Sequence, residues 1–357
     1  MDQIFMSTAL DLATKARGHT APNPLVGAVV VSLKNEIIGR GFHPRAGEPH
    51  AEVFAINEAL KTGESLAGAT LYVTLEPCNH FGKTPPCVDL ILSSGIKTVK
   101  VGVLDANPLM QGKSIEKLRV HGINVEVGIL KNQAESLVRG FKSVLKTGFP
   151  FVTLKCATSL DGKIATQSGE SQWITEEPAR QLGHFERAHH DTILVGIGTV
   201  LSDDPRLSVR VNDTPEVGLR KVILDSQLRT PVNSKIFFSP GEVLIYCDLN
   251  YSSERKHELE NAGAKIIPLT DLKEILKDLA LRGSQEILVE GGAKVLGSFV
   301  REKLFDRIIY ILAPKILGSE GRDVFDGLNV NRLIDSVVLK NVSTQMIGHD
   351  ILIEGIR

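Results

Sequence analysis

The chain has 357 residues, and its 41 basic residues against 42 acidic ones leave a formal net charge of -1. That balance supplies no global field for a nucleic acid or an anionic membrane, and 42% hydrophobic with 23% charged residues argues against disorder. At ~100–200 residues per domain the length sets an expectation of two domains. Four cysteines are too few for a disulfide scaffold. No run approaches the ~20 apolar residues of a membrane span. The start, with Asp2, lacks the pattern of a secretory signal. A cytoplasmic protein is expected.

In chain order, residues 2–17 carry a helical stripe that Ala21-Pro22-Asn23-Pro24 breaks. Segments 27–31 and 36–40 read as a hairpin turning at Lys34-Asn35. Helices are expected at 51–61, 88–93 and 115–121, and strands at 71–75, 98–104 and 125–129. Residues 133–146 read as one helix, stopped by Thr147-Gly148-Phe149-Pro150. This places the domains at 1–146 and 147–357. Beyond the boundary, strands are expected at 151–157, 191–195, 221–225, 243–246, 265–268, 286–289 and 307–312, with a terminal hairpin partner at 345–356. Strands alternating with helices make both halves α/β.

His50-Ala51-Glu52 opens a helix, Pro77-Cys78 follows a strand, and Pro86-Cys87 opens the next helix. One His and two Cys are three tetrahedral zinc ligands with a fourth position left for water, the pattern of a catalytic site. Such a metal makes hydroxide available at neutral pH. Glu52, two residues from His50, suits a proton shuttle better than a ligand. Zinc deaminases carry H-x-E…P-C-x-x-C; here eight residues, not two, separate the cysteines. The bland alternative is a structural zinc, or buried cysteines beside a surface His.

In the second half, Gly196-Ile197-Gly198 after a strand begins like a dinucleotide fingerprint. It lacks the third Gly and the acidic residue about 20 positions on, which argues against a Rossmann fold. Glu290-Gly291-Gly292 runs from a strand end into a helix, which brings backbone N–H groups and a helix dipole to a phosphate. Cys156 and Cys247 flank strands and read as buried small residues.

Over nearly its whole length the sequence resembles the bifunctional riboflavin biosynthesis deaminase/reductase family. The motifs are Pro22-Asn23-Pro24-Leu25-Val26-Gly27, the run from Gly41 through His50-Ala51-Glu52, and Leu75-Glu76-Pro77-Cys78 through Pro86-Cys87 with its long spacing. In the second half they are Lys155-Cys156-Ala157-Thr158-Ser159-Leu160-Asp161-Gly162, Ser171-Gln172-Trp173, Thr199 to Leu207, and Glu290 to Ser298. The resemblance implies a cytidine-deaminase-like α/β/α domain, then a dihydrofolate-reductase-like α/β domain that uses NADPH. It implies zinc on His50, Cys78 and Cys87, and proton transfer by Glu52. Asn23 and His43 match substrate-pocket positions, and His80, Lys83 and Thr84 lie where the family meets a substrate phosphate. The cofactor would meet Thr158, Trp173, Thr199, Asp203, Ser226 and the segment Gly292, Ala293, Lys294, Val295, Leu296, Gly297, Ser298. The reductase substrate would meet Ser171, Arg187, Leu207, Arg210 and Glu290, with Lys155 a positioning candidate. Arg187 and Arg210 make chemical sense as a phosphate fork.

The expected activity is zinc-dependent deamination of a small phosphorylated pyrimidine, followed by reduction of its ribosyl arm to a ribityl arm. A homo-oligomer is implied. Neither nucleic acid nor membrane is an expected partner. The competing reading is an RNA nucleobase deaminase with a C-terminal binding domain; near-neutral charge and the lack of interleaved basic and aromatic residues count against it.

Overall fold

The computed structural model describes residues 1–81, 85–108, 110–209 and 218–357. Its contacts divide the chain into Met1–Gly148 and Phe149–Arg357. The expected junction fell two residues earlier. The helix before it continues to Thr147, and Gly148 ends it with a left-handed φ of 76°.

The first unit runs α1 (Asp2–Thr14), β1 (Gly27–Val31), β2 (Ile37–Phe42), α2 (Ala51–Lys61), β3 (Thr70–Leu75), α3 (Cys87–Ser94), β4 (Thr98–Val103), α4 (Lys113–Val120), β5 (Asn124–Val127), α5 (Lys131–Leu137) and α6 (Arg139–Thr147). The sheet order is β2-β1-β3-β4-β5. β1 is antiparallel to β2 and β3, while β3, β4 and β5 are parallel. β1 is buried throughout, so its alternation serves two layers: Ala28 and Val30 pack with α2 and α3, and Val29 and Val31 with α1. β2 approaches α2 closely because it carries Gly39 and Gly41. A Cβ on Gly41 would lie 2.2 Å from the Ala51 carbonyl oxygen, and one on Gly39 2.0 Å from that of Ala55. The single helix expected at 133–146 is two helices, α5 and α6, meeting at Val138, whose φ is -108°.

The second unit runs β6 (Phe151–Thr158), β7 (Lys163–Ala165), α7 (Glu177–Ala188), β8 (Thr192–Gly196), α8 (Ile197–Asp203), β9 (Arg220–Leu224), β10 (Val243–Tyr246), α9 (Ser253–Asn261), β11 (Ala264–Ile267), α10 (Leu272–Leu281), β12 (Glu286–Val289), α11 (Ala293–Arg301), β13 (Arg307–Leu312), β14 (Arg322–Asp323), β15 (Lys340–Ile347) and β16 (Asp350–Ile356). Its nine-stranded sheet has the order β11-β10-β9-β8-β12-β6-β13-β16-β15. The seven strands from β11 to β13 are parallel. β16 and β15 close one edge in antiparallel pairing. Parallel strands need cover on both faces. Leu194, Val222 and Leu244 face one apolar cluster, and Ile193, Ile223 and Ile245 the other. The strand order is not that of the dinucleotide-binding doubly wound sheet. The short pair β7–β14 was not anticipated from sequence.

Candidate active sites

In the first unit, the seating of α2 against β2 fixes where that helix begins. His50 is its N-cap and Glu52 stands in its first turn. Cys78 follows β3, and Cys87 is the first residue of α3. The ligand atoms of His50, Cys78 and Cys87 all lie within 4.8 Å of one another. His50 Nδ1 is 3.2 Å from Cys87 Sγ and 3.4 Å from Cys78 Sγ. Zinc bonds of ~2.3 Å to sulfur and ~2.0 Å to nitrogen, at a tetrahedral angle, put such atoms about 3.5 Å apart. The three residues therefore fit zinc in both donor type and spacing. The Cys78 thiol is pulled well below its ordinary range, first by the Cys87 thiol and then by the His50 ring, while that neighbour and burial push Cys87 up. One thiolate is thus favoured at the expense of the other; a cation between them lets both ionise.

Glu52 is only 3% exposed. Burial first, and the charge on Cys78 second, push its carboxyl up to about 7. His43 Nδ1 lies 3.1 Å from the Pro49 carbonyl oxygen and donates to it, leaving Nε2 to accept from the Asn23 amide at 3.0 Å. Burial lowers the pKa of His43, which keeps that neutral tautomer. Asn23, His43, His50, Glu52, Cys78 and the exposed His80 all line one pocket of 380 Å³. Lys83 and Thr84 lie outside the described residues. Sequence reading missed Asp105, Asn107, Met110, Phe141 and Leu145, which line the same pocket. Asp105 and Asn107 follow the C-terminal end of β4, and that position is the signal that would have found them.

In the second unit, a cleft of 1870 Å³ opens at the C-terminal ends of the parallel strands, where open α/β sheets take their ligands. α8 and α11 both begin there, directly after β8 and after Gly291-Gly292. The two starts pack closely: a Cβ on Gly196 would lie 2.7 Å from Val295 Cγ2. Two helix N-termini side by side make an anion-favouring wall.

Lys155, Ser171, Trp173, Arg187, Thr199, Asp203, Leu207, Glu290 and the segment from Gly292 to Leu296 line this cleft. Arg210 lies outside the described residues. Thr158, Ser226, Gly297 and Ser298 do not form its wall. Thr158 is fully buried, and Ser226 is exposed beyond β9. A Cβ on Gly297 would lie 2.0 Å from the Asp326 carbonyl oxygen, and the Ser298 hydroxyl accepts from Arg301. The cofactor segment that faces the cleft is therefore shorter than sequence suggested.

Arg187 is already engaged. Its Nε and Nη2 donate to the two Glu290 oxygens at 3.1 and 2.6 Å, and Nη1 donates to the Ser208 carbonyl at 3.2 Å. Burial opposes ionisation of Glu290, but Arg187 and then Lys155 overcome it and hold the carboxyl at about 2. The expected fork toward phosphate is thus, on the Arg187 side, a fork onto a carboxylate. Arg180 was also missed; its guanidinium lies 4.7 Å from the Trp173 ring centroid.

Comparison with known proteins gives two family matches. The cytidine and deoxycytidylate deaminase zinc-binding region matches residues 1–103, and the RibD C-terminal domain matches residues 150–353. The chain is 43% identical over 355 residues to the riboflavin biosynthesis protein RibD of Aquifex aeolicus (strain VF5), covering 99% of this chain and 98% of that protein. Against RibD of Escherichia coli (strain K12) the identity is 38% over 366 residues, 98% of each chain. A Thermotoga maritima crystal structure, described as a diaminohydroxyphosphoribosylaminopyrimidine deaminase/5-amino-6-(5-phosphoribosylamino)uracil reductase, superposes with a TM-score of 0.86 and 39% identity, over 99% of this chain and 98% of that one. The first domain is thus cytidine-deaminase-like and the second is the dihydrofolate-reductase-like domain of this family, which uses NADPH. A zinc-binding deaminase domain and a reductase domain, matched across almost the entire length, show that the chain belongs to the RibD family of bifunctional deaminase–reductases in riboflavin biosynthesis.

Proposed function

We propose that Met1–Gly148 hydrolyses an amino group from a diaminopyrimidinone bearing a phosphorylated ribosylamino arm, and that Phe149–Arg357 then reduces that arm to a ribityl group. The observation that carries the first step is the cluster of His50, Cys78 and Cys87 ligand atoms at a 380 Å³ pocket that His50, Cys78 and buried Glu52 line. Zinc on those three ligands supplies hydroxide at neutral pH. Glu52, with its carboxyl near neutrality, takes one proton from the attacking water and passes it to a ring nitrogen, then moves a second from the newly added hydroxyl to the leaving amine. The Asn23 amide, fixed by His43, meets a pyrimidine edge that both donates and accepts. Phe141 and Leu145 offer apolar wall to a single ring. His80, with Lys83 and Thr84, takes the phosphate.

In the second step NADPH supplies the hydride. Backbone N–H groups at the starts of α8 and α11, with Thr199, Asp203 and Trp173 of the same cleft, would hold this cofactor. Glu290, kept ionised, accepts from sugar hydroxyls. Ser171, Leu207, Lys155 and the remaining donors of Arg187 orient the arm.

We also propose a cytoplasmic homo-oligomer. Among the described residues no helix is long and apolar enough to cross a membrane. β15 is an exposed edge strand that leaves Val342 and Met346 on the surface.

The test supplies the diaminopyrimidinone phosphate to the zinc-loaded chain. Ammonia release is expected, and chelation should abolish it. NADPH oxidation with deaminated substrate should survive chelation. Full ammonia release from zinc-free protein would contradict the proposal.

A further inference from the structure

Glu76 follows β3 directly, two residues before Cys78, and only 4% of it is exposed. Its carboxylate collects four hydrogen bonds. Oε2 accepts from the backbone N–H groups of Asp105 at 3.0 Å and Gly112 at 2.9 Å. Oε1 accepts from the Ser114 backbone N–H at 3.2 Å and from the Ser114 hydroxyl. Glu76 itself borders the pocket, but a carboxylate has about four lone-pair sites, and these four bonds use that capacity.

The donors belong to the stretch between β4 and the first turn of α4. Asp105 in turn accepts from the Asn107 N–H at 2.8 Å, which fixes the turn that carries both residues. Asp105, Asn107 and Met110 line the pocket that holds His50, Cys78 and Glu52. One buried side chain therefore ties the strand end that leads to a metal ligand to the wall opposite in sequence, 29 to 38 residues away.

We propose that Glu76 is a positioning residue for deamination: it hangs the Asp105–Asn107 wall of the pocket in place and sets substrate affinity without touching the zinc or the reacting atoms. The proposal rests on the deaminase reading of this pocket. A Gln at this position keeps the shape but turns an NH2 group toward two donors.

The test uses the full-length, zinc-loaded Glu76→Gln variant. Deaminase KM should rise about tenfold or more while kcat stays within about threefold. Zinc content and reductase kinetics should match the wild type. Hydrogen exchange at the Asp105, Gly112 and Ser114 amides should accelerate, with the peptides around His50 and Cys87 unchanged. A wild-type KM, or zinc loss with a fallen kcat and an unchanged KM, would overturn the proposal. If Glu76→Gln fails to fold, Ser114→Ala removes one donor alone: a smaller KM rise with faster exchange at Asp105 supports the proposal, and wild-type values for both overturn it. A wild-type chain that releases no ammonia would instead remove the deaminase reading. The exchange measurement then decides whether Glu76 holds the wall.

Discussion

Gly41→Ala tests how the fold builds the deaminase site. The added Cβ would meet the Ala51 carbonyl oxygen at 2.2 Å, the Ala55 nitrogen at 2.5 Å and Phe54 Cβ at 2.8 Å. Two of these are backbone atoms of α2, so no side-chain rotation relieves them. Real Cβ contacts essentially never fall under 3.0 Å, so the first turns of α2 must retreat by about 0.8 Å or more, a cost of ~1–3 kcal/mol for overpacking. His50 is the N-cap of that helix and Glu52 sits in its first turn. Metal–ligand distances tolerate only ~0.2 Å, and a ~1 Å misplacement of reacting groups costs ~10²-fold in rate. Ammonia release should therefore fall about 10²-fold, with less than one zinc per chain by atomic emission. NADPH oxidation by the same sample should hold, because its cleft lies wholly within Phe149–Arg357. One zinc per chain together with wild-type ammonia release would refute the claim that the β2–α2 approach sets the site.

Glu52→Gln should lower ammonia release by ~10²–10⁴-fold while zinc stays bound and the reductase is unaffected; an unaltered rate would remove Glu52 from proton transfer. Arg187→Met leaves Glu290 buried without its hydrogen-bonded partner, and urea unfolding followed by the emission of Trp173, the single tryptophan, should show a loss of ~3–5 kcal/mol. Adding Glu290→Gln should recover a large part of it, and strict additivity of the two changes would refute the pairing. Because Glu290 is held at about 2 against an ordinary 4.5, its stabilisation is complete above the ordinary value and disappears as pH falls toward 2. The wild-type urea midpoint should decline through that window more steeply than that of Glu290→Gln. NADPH should quench Trp173 emission on binding to the cleft the residue lines, and NADPH oxidation without quenching would put the cofactor away from Trp173.

The zinc ligands were legible because they are chemically distinctive and each sits at the edge of a readable element. His50 precedes an amphipathic helix, and each cysteine follows a proline. The parallel strands were legible as apolar runs, since both faces are covered. The break at Val138 was not, because neither Gly nor Pro marks it and Leu137 and Val138 are both buried. β7 and β14 are too short to show a period, and their pairing joins Lys163 to Asp323. Arg187 read as a phosphate ligand because its partner, Glu290, lies 103 residues away. Glu76 looked like one more residue of a cysteine motif for the same reason. Such residues depend on partners that only the assembled sheet brings near.

The most direct measurement is the mass of the product formed from the diaminopyrimidinone phosphate, with and without NADPH. Without NADPH, the zinc-loaded chain should exchange one amino group for oxygen and stop there. With NADPH, the same molecule should also gain two hydrogens. Conversion of neither kind by a fully zinc-loaded chain, or a gain of hydrogens by protein from which the second unit has been inactivated, would contradict two consecutive reactions at two separate sites.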